Sequence, residues 1–161
     1  NGGMAQIPYT FKLFDDDNIL IAERKGSTFI SPNTVIPIFE GTIFTGERVP
    51  VKTFFEFNRP FEWSVYENSG KDLSISETTL SNVDSTPRVD AVISNTSIVD
   101  VSDIEVVAIV FNSSDNAIAV SSTFIENLPD RSSRNIVFTW PNKFDSQPSR
   151  VEVIHRVPFE D

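Results

Sequence analysis

The chain contains no cysteine. Disulfides, thiolate metal sites and cysteine nucleophiles are therefore excluded, and either redox compartment remains compatible. It has one histidine, His155, too few for a multi-histidine zinc site. Lys and Arg number 13 against 23 Asp and Glu, a net charge of −10. An acidic surface with no basic cluster repels phosphate backbones, which sets nucleic acid aside as a partner and disfavours anionic membranes. No apolar run approaches the roughly 18 to 20 residues of a membrane helix, and no signal peptide is present. Glycine-rich phosphate loops and the G-x-S-x-G elbow of a serine hydrolase are also missing. The opening Asn1-Gly2-Gly3-Met4-Ala5 reads as a tag remnant, which leaves room for a natural signal or membrane anchor upstream.

What is present points to strands. Fourteen Phe and many Val and Ile stand beside a single Met, and hydrophobic residues make up 39% of the 161 positions. Aromatic and β-branched side chains fit a pleated, half-buried surface. Apolar residues recur at every second position or in short solid runs, not at helical spacing. The pattern predicts strands over 6–14, 19–23, 28–30, 34–45, 49–57, 61–66, 73–80, 88–94, 104–111, 117–121, 123–125, 135–140 and 150–157. Residues 104–111 are apolar on both faces and so belong to a central strand. Lys25-Gly26-Ser27 reads as a break, and Asp15-Asp16-Asp17-Asn18 and Asn112 to Asn116 as turns. Many short strands without helices describe a sandwich or barrel.

The chain also resembles itself. Phe14 to Ala22 matches Phe111 to Ala119, Thr28-Phe29-Ile30 matches Thr123-Phe124-Ile125, Pro32 matches Pro129, and Ile38-Phe39 matches Val137-Phe138. Four matched pieces in one order point to a structural duplication; the alternative is one continuous sandwich with a coincidental likeness. The expected organisation is a first, incomplete β-sandwich unit over 1–66, a linker over 67–72 and a second unit over 73–161. The first copy has almost nothing before its hairpin, whereas two strands precede the second.

Phe11-Lys12-Leu13-Phe14-Asp15 resembles the F-x-L-Y-D signature of bacterial FxLYD-type immunoglobulin-like domains, with Phe for Tyr, and Ala108-Ile109-Val110-Phe111-Asn112 is a looser version. Val92 to Ser97, Ile104 to Ala108 and Ile136 to Trp140 are similar to the segments around that signature. The resemblance implies an all-β, immunoglobulin-like β-sandwich with two related units in tandem, on an exported or membrane-tethered bacterial protein. It carries over no catalytic or binding residue.

The candidate chemistry is sparse. Asp15, Asp16, Asp17 and Asn18 offer oxygens to calcium but lack an EF-hand loop, and a hairpin turn explains them. His155 falls in the alternating row Val151, Val153, His155, Val157, an interior or edge position. Nothing fixes two carboxylates near each other as a glycosidase needs. Trp63, Trp140, Phe54, Phe55, Phe57 and Phe61 would stack on sugars or anchor a partner if exposed. Core filling is the plainer account, and fits Trp140. Consecutive Phe54 and Phe55 point to opposite faces, so one turns away from its own core, towards the other unit, a partner or solvent. Asn95-Thr96-Ser97 and Asn112-Ser113-Ser114 match N-x-S/T but are most simply turns. The sequence thus points to a non-enzyme without cofactor, metal or catalytic residues: a scaffold or spacer at the cell surface whose partners are proteins or further domains of its own chain. The competing reading is a carbohydrate- or peptide-binding module using exposed aromatics or an open edge strand.

Overall fold

The computed structural model describes residues 4–30, 35–60, 62–63 and 72–157. Nine strands run through them: β1 (Met4–Phe14), β2 (Leu20–Ile30), β3 (Lys52–Phe57), β4 (Leu73–Ser81), β5 (Arg88–Asn95), β6 (Val101–Asn112), β7 (Ala117–Leu128), β8 (Ser133–Thr139) and β9 (Pro148–Arg156). No helix occurs among the described residues. The strands form three antiparallel sheets of three, in the orders β2-β1-β3, β4-β5-β8 and β7-β6-β9. The chain divides into two compact units, Asn1–Glu67 and Asn68–Asp161. The linker expected over 67–72 lies almost wholly outside the described residues.

In the second unit two sheets share one core, in the manner of a β-sandwich. Strict alternation on β5 buries Val89, Ala91 and Ile93, and β8 adds Ile136 and Phe138. The facing sheet supplies Val101, Ile104, Val106 and Ala108 from β6, and Ile125 and Leu128 from β7. β6 is the central strand of its sheet, as its doubly apolar run predicts; Val107, on its other face, is also fully buried. Asp103 sits at φ 56° and resets the alternation, so that Val101 and Ile104 both point inward. Asp tolerates that left-handed backbone better than most residues.

Among its described residues the first unit forms a single sheet. Ile7, Tyr9 and Leu13 are buried on one face of β1. On β3, Phe57 stands opposite Tyr9 and Phe55 opposite Phe11. Tyr9, Phe11, Phe55 and Phe57 form a chain of ring contacts with centroids 4.9–5.7 Å apart. The opposite face carries Thr10, Lys12, Phe54 and Glu56, with Lys12 paired to Glu56. Phe54 is thus the residue that turns away from the apolar face.

Several sequence expectations are corrected here. The long strand over 34–45 is absent: residues 35–45 adopt no regular structure. Pro37 has no N–H for a ladder and Thr42 lies at φ 53°, so the apolar content of this segment does not make a strand. The segment instead delivers Glu40 to the sheet, where its Oε1 accepts from the Tyr9 hydroxyl at 2.7 Å and its Oε2 from Arg24 Nε at 2.8 Å. Lys25-Gly26-Ser27 is no break either, because β2 runs straight through it. Gly26 is the residue opposite Tyr9, and any Cβ there would overlap the tyrosine ring and crowd Glu40 Oε1 at 2.7 Å. Residues 117–121 and 123–125 are one strand, β7. Of the strand expected over 61–66, Glu62 and Trp63 are described and lie outside any strand.

The two copies of the hairpin coincide turn for turn. Asn18 N donates to Asp15 O and Asp115 N to Asn112 O, both at 3.1 Å. Asn18 and Asp115 occupy the left-handed region at φ 59° and 58°. Each pairing shifts register at the same point, between Leu13 and Phe14 and between Val110 and Phe111. A three-residue loop closed by a left-handed residue and a bulge is a favoured hairpin connection. A later strand then pairs on the other side of β1 and of β6, giving β2-β1-β3 and β7-β6-β9. Two proposed matches do not share this register. Thr28 lies opposite Ile7 whereas Thr123 lies opposite Val106, a slip of one pleat period. Ile38-Phe39 lies in no strand whereas Val137-Phe138 lies in β8. Pro32 is outside the described residues.

The packing makes a direct prediction. Phe138→Ala should destabilise the chain by about 3–5 kcal/mol, because a fully enclosed ring is removed. Gly26→Ala should destabilise it through the Tyr9 overlap, and Gly26→Ala combined with Tyr9→Ala should lose less than the two single changes summed. Urea unfolding of the wild type and the four variants checks both statements.

Candidate functional site

The acidic turn is occupied by the fold's own hydrogen bonds. Asp15 is buried; its Oδ1 accepts from Ile19 N at 2.8 Å and its Oδ2 from Arg48 Nη1 at 2.5 Å. Asp16, Asp17 and Asn18 are exposed beside it. The matching turn uses Asn112 Oδ1 to hold Ser114 N at 3.0 Å and Asn116 N at 3.1 Å, and Arg150 Nε reaches Asp115 at 3.1 Å. In both turns a short polar side chain caps the loop and an acid meets an arginine from the side of the later strand. Among the described residues no group of three His, Cys, Asp or Glu is placed to hold a metal ion.

His155 lies opposite Val106 on β9, in the row with Val151 and Val153, and is partly buried. Burial pushes its imidazole below the ordinary histidine value, and the charge of Asp72 pulls it back up in part. These surroundings disfavour a charged ring; they give it no activated partner.

The polar group that sequence reasoning underrated is Asn95. It ends β5, only 1% exposed, and its Nδ2 reaches Val99 O at 2.9 Å, Pro129 O at 3.0 Å and Leu128 O at 3.1 Å. Its Oδ1 accepts from Ser97 N at 3.0 Å and Ser97 Oγ at 2.6 Å. One side chain thus satisfies the carbonyls of two connections, the one between β5 and β6 and the one between β7 and β8. The only signal in the sequence was the Asn-Thr-Ser run, which reads equally well as an open turn. An amide so committed is no acceptor for a sugar.

The aromatic candidates separate. Trp140 packs against the core, donates Nε1–H to Val120 O at 3.2 Å and meets Phe144 edge-on at 5.3 Å, so it fills space at a strand end. Phe55 and Phe57 belong to the ring chain on the apolar face. Phe54 is 52% exposed and Trp63 55%. Phe61 lies outside the described residues. Phe124, 56% exposed on β7, is an aromatic the sequence reading passed over, because its place in a matched triplet suggested structure alone. Arg150 stacks over Phe111, its Cζ 3.8 Å from the ring centroid, and so covers that ring. No helix among the described residues is long and apolar enough to cross a membrane. The chain matches no family model, no curated protein and no solved structure. The likeness to FxLYD-type domains therefore rests on the residues that carry it.

Two expectations follow. Asn95→Ala should cost about 2–4 kcal/mol in urea unfolding, since it strands buried carbonyls, whereas Asn112→Ala, in a solvated turn, should cost under about 1 kcal/mol. His155 gives a pH signature. Its folded pKa lies below its unfolded one, so the unfolded chain takes up the proton first as pH falls. The associated stability is intact above the ordinary value of 6.5 and is lost as pH drops through the folded value. The thermal midpoint of the wild type should therefore fall relative to that of His155→Leu between roughly pH 7 and pH 5. A constant difference between the two midpoints would contradict the depressed pKa.

Proposed function

We propose that the chain is a non-enzymatic structural and interaction module: two related immunoglobulin-like units in tandem, serving as scaffold or spacer in an exported or membrane-anchored bacterial protein. The observation that carries this reading is the twice-used arrangement of hairpin, left-handed turn residue, bulge, arginine and later strand. In the second unit the orders β4-β5-β8 and β7-β6-β9 correspond to strands A-B-E and C′-C-F of an immunoglobulin-like sandwich. In the first unit β1, β2 and β3 correspond to C, C′ and F. Tandem use of one unit suits a protein that spans distance and presents surfaces. The side chains richest in chemical promise, Asp15 and Asn95, are committed to holding loops together.

The competing reading is a carbohydrate- or peptide-binding module, favoured by the exposure of Phe124 and Phe54. One experiment separates these readings. The tagged parent protein is expressed in its source cell, intact cells are treated with protease, and the fractions are probed by crosslinking and by a glycan array. The scaffold reading expects protease-accessible material at the envelope or in the medium, crosslinked to protein, with no glycan signal. Glycan binding that Phe124→Ala abolishes would replace it with the second reading. Recovery of the protein solely from the cytoplasm, protected from protease, would overturn the extracytoplasmic assignment.

A further inference from the structure

Unpaired sheet edges template further strands, and folded proteins blunt them with bulges, charges or proline. β4 carries such a bulge, between Ser76 and Thr79, with Glu77 at φ 53°. β2 carries register shifts against β1 and the charged run Glu23-Arg24-Lys25. β3 differs from both. It pairs with β1 from Lys52 to Phe57 without a shift, contains no proline or glycine, and exposes Lys52, Thr53, Phe54 and Phe55.

The direction of its main-chain groups can be read from its ends. Pro8 and Phe14 both turn their carbonyls towards β3, accepting from Asn58 N at 2.8 Å and Val51 N at 2.9 Å. The even-numbered residues of β1 therefore bond to β3, and their register partners are Glu56, Phe54 and Lys52. In an antiparallel ladder the alternate residues turn N–H and C=O the other way. Thr53 and Phe55 thus aim donor and acceptor at the side of β3 on which no described strand pairs.

The side-chain order along this edge is self-complementary. Lys52, Phe54 and Glu56 share one face. Laid antiparallel on a second copy of itself and centred on Phe54, β3 sets Lys52 of each copy opposite Glu56 of the other, with the two Phe54 rings face to face between these charge pairs. The same register sets Thr53 against Phe55 twice, and those are the residues whose main-chain groups point outward. Each Thr53–Phe55 pair then exchanges two hydrogen bonds, and Phe54 becomes a non-hydrogen-bonded pair, where side chains approach most closely. Lys52 makes no ion pair among the described residues, and Glu56 already holds Lys12, so its carboxylate would bridge two cations.

We propose that β3 is a homotypic docking edge: two copies of this chain associate through antiparallel β3–β3 pairing centred on Phe54, joining two three-stranded sheets into one of six. The interface is small and opposed by the net charge of both chains, so the association is weak and reversible.

The native chain lacks cysteine, which makes crosslinking a clean test. Phe54→Cys should form a disulfide-linked dimer under mild oxidation, because the paired Cα atoms come within about 5 Å. Lys52→Cys should not, because in this register the two positions lie about 14 Å apart along the strands. In sedimentation analysis up to roughly 1 mM, wild type should dimerise reversibly, and Phe54→Lys should weaken the dimer at least about tenfold by opposing like charges. Thr53→Pro, which removes only an outward N–H, should weaken it similarly while the thermal midpoint stays near that of the wild type. A wild type that is monomeric at every concentration would leave this edge to a foreign strand and overturn the proposal. So would a dimer indifferent to Phe54→Lys, or crosslinking at Lys52→Cys as fast as at Phe54→Cys.

Discussion

A β-strand has two faces, and the rest of this molecule follows from which of them finds cover. In the second unit the answer is symmetrical. β5 turns Val89, Ala91 and Ile93 towards Ile104, Val106 and Ala108 of β6, and each central strand is flanked by neighbours that extend the same buried layer. Burial scales with apolar area removed from water, so this paired layer supplies most of the drive to fold. Among its described residues the first unit has one sheet, and only Ile7, Tyr9 and Leu13 are buried large apolar side chains. Its apolar face is met by an irregular segment pinned through Glu40, whose carboxylate is disfavoured by burial yet held below its ordinary pKa by hydrogen bonds from Arg24 and Tyr9. A polar pin of this kind substitutes for some of what a second sheet does elsewhere. It also explains why a glycine sits in mid-strand at position 26, where the tyrosine must pass.

The hairpins show which features tolerate sequence change and which do not. The left-handed position is Asn in one copy and Asp in the other, the two non-glycine residues that enter that region most readily. The loop cap is Asp15 in one and Asn112 in the other, and both accept main-chain N–H groups. The remaining turn residues change from acids to serines without altering the backbone. The acidity of Asp15 to Asp17 is thus incidental to the turn, and only the capping oxygen and the left-handed residue are required by geometry.

Strands were legible wherever one local rule decided the outcome. Alternation located β1, β5 and β9, the doubly apolar run identified β6 as a central strand, and runs of Asp, Asn and Ser located both turns. The failures have a common cause. Residues 35–45 are as apolar as a strand, yet proline and a positive φ leave the segment without a ladder, and hydrophobicity alone carries no information about hydrogen bonding. Lys25-Gly26-Ser27 failed in the opposite sense: a local break signal was overridden by a tertiary contact with Tyr9 that no local window contains. Asn95 was invisible for a similar reason, since two of its partners, at positions 128 and 129, reach it only once β7 is in place.

These connections bear on where activity can reside. Asp15 closes its own turn, Asn95 staples two connections, Trp140 plugs a strand end, and His155 stands in an apolar row. Each of these four is engaged by the fold, and the faces and edges of the sheets stand beside them as surfaces for an outside partner. Edges are not equivalent, because a bulge interrupts and bends the ladder offered to a newcomer and a run of charge opposes its approach. β4 and β2 carry such interruptions, whereas β3 presents an unbroken row with aromatics on both sides. A main-chain edge offers the same hydrogen bonds to any strand. Selectivity must therefore come from the side chains that flank it, and on β3 those are a cation, a ring and an anion at alternate positions along one face.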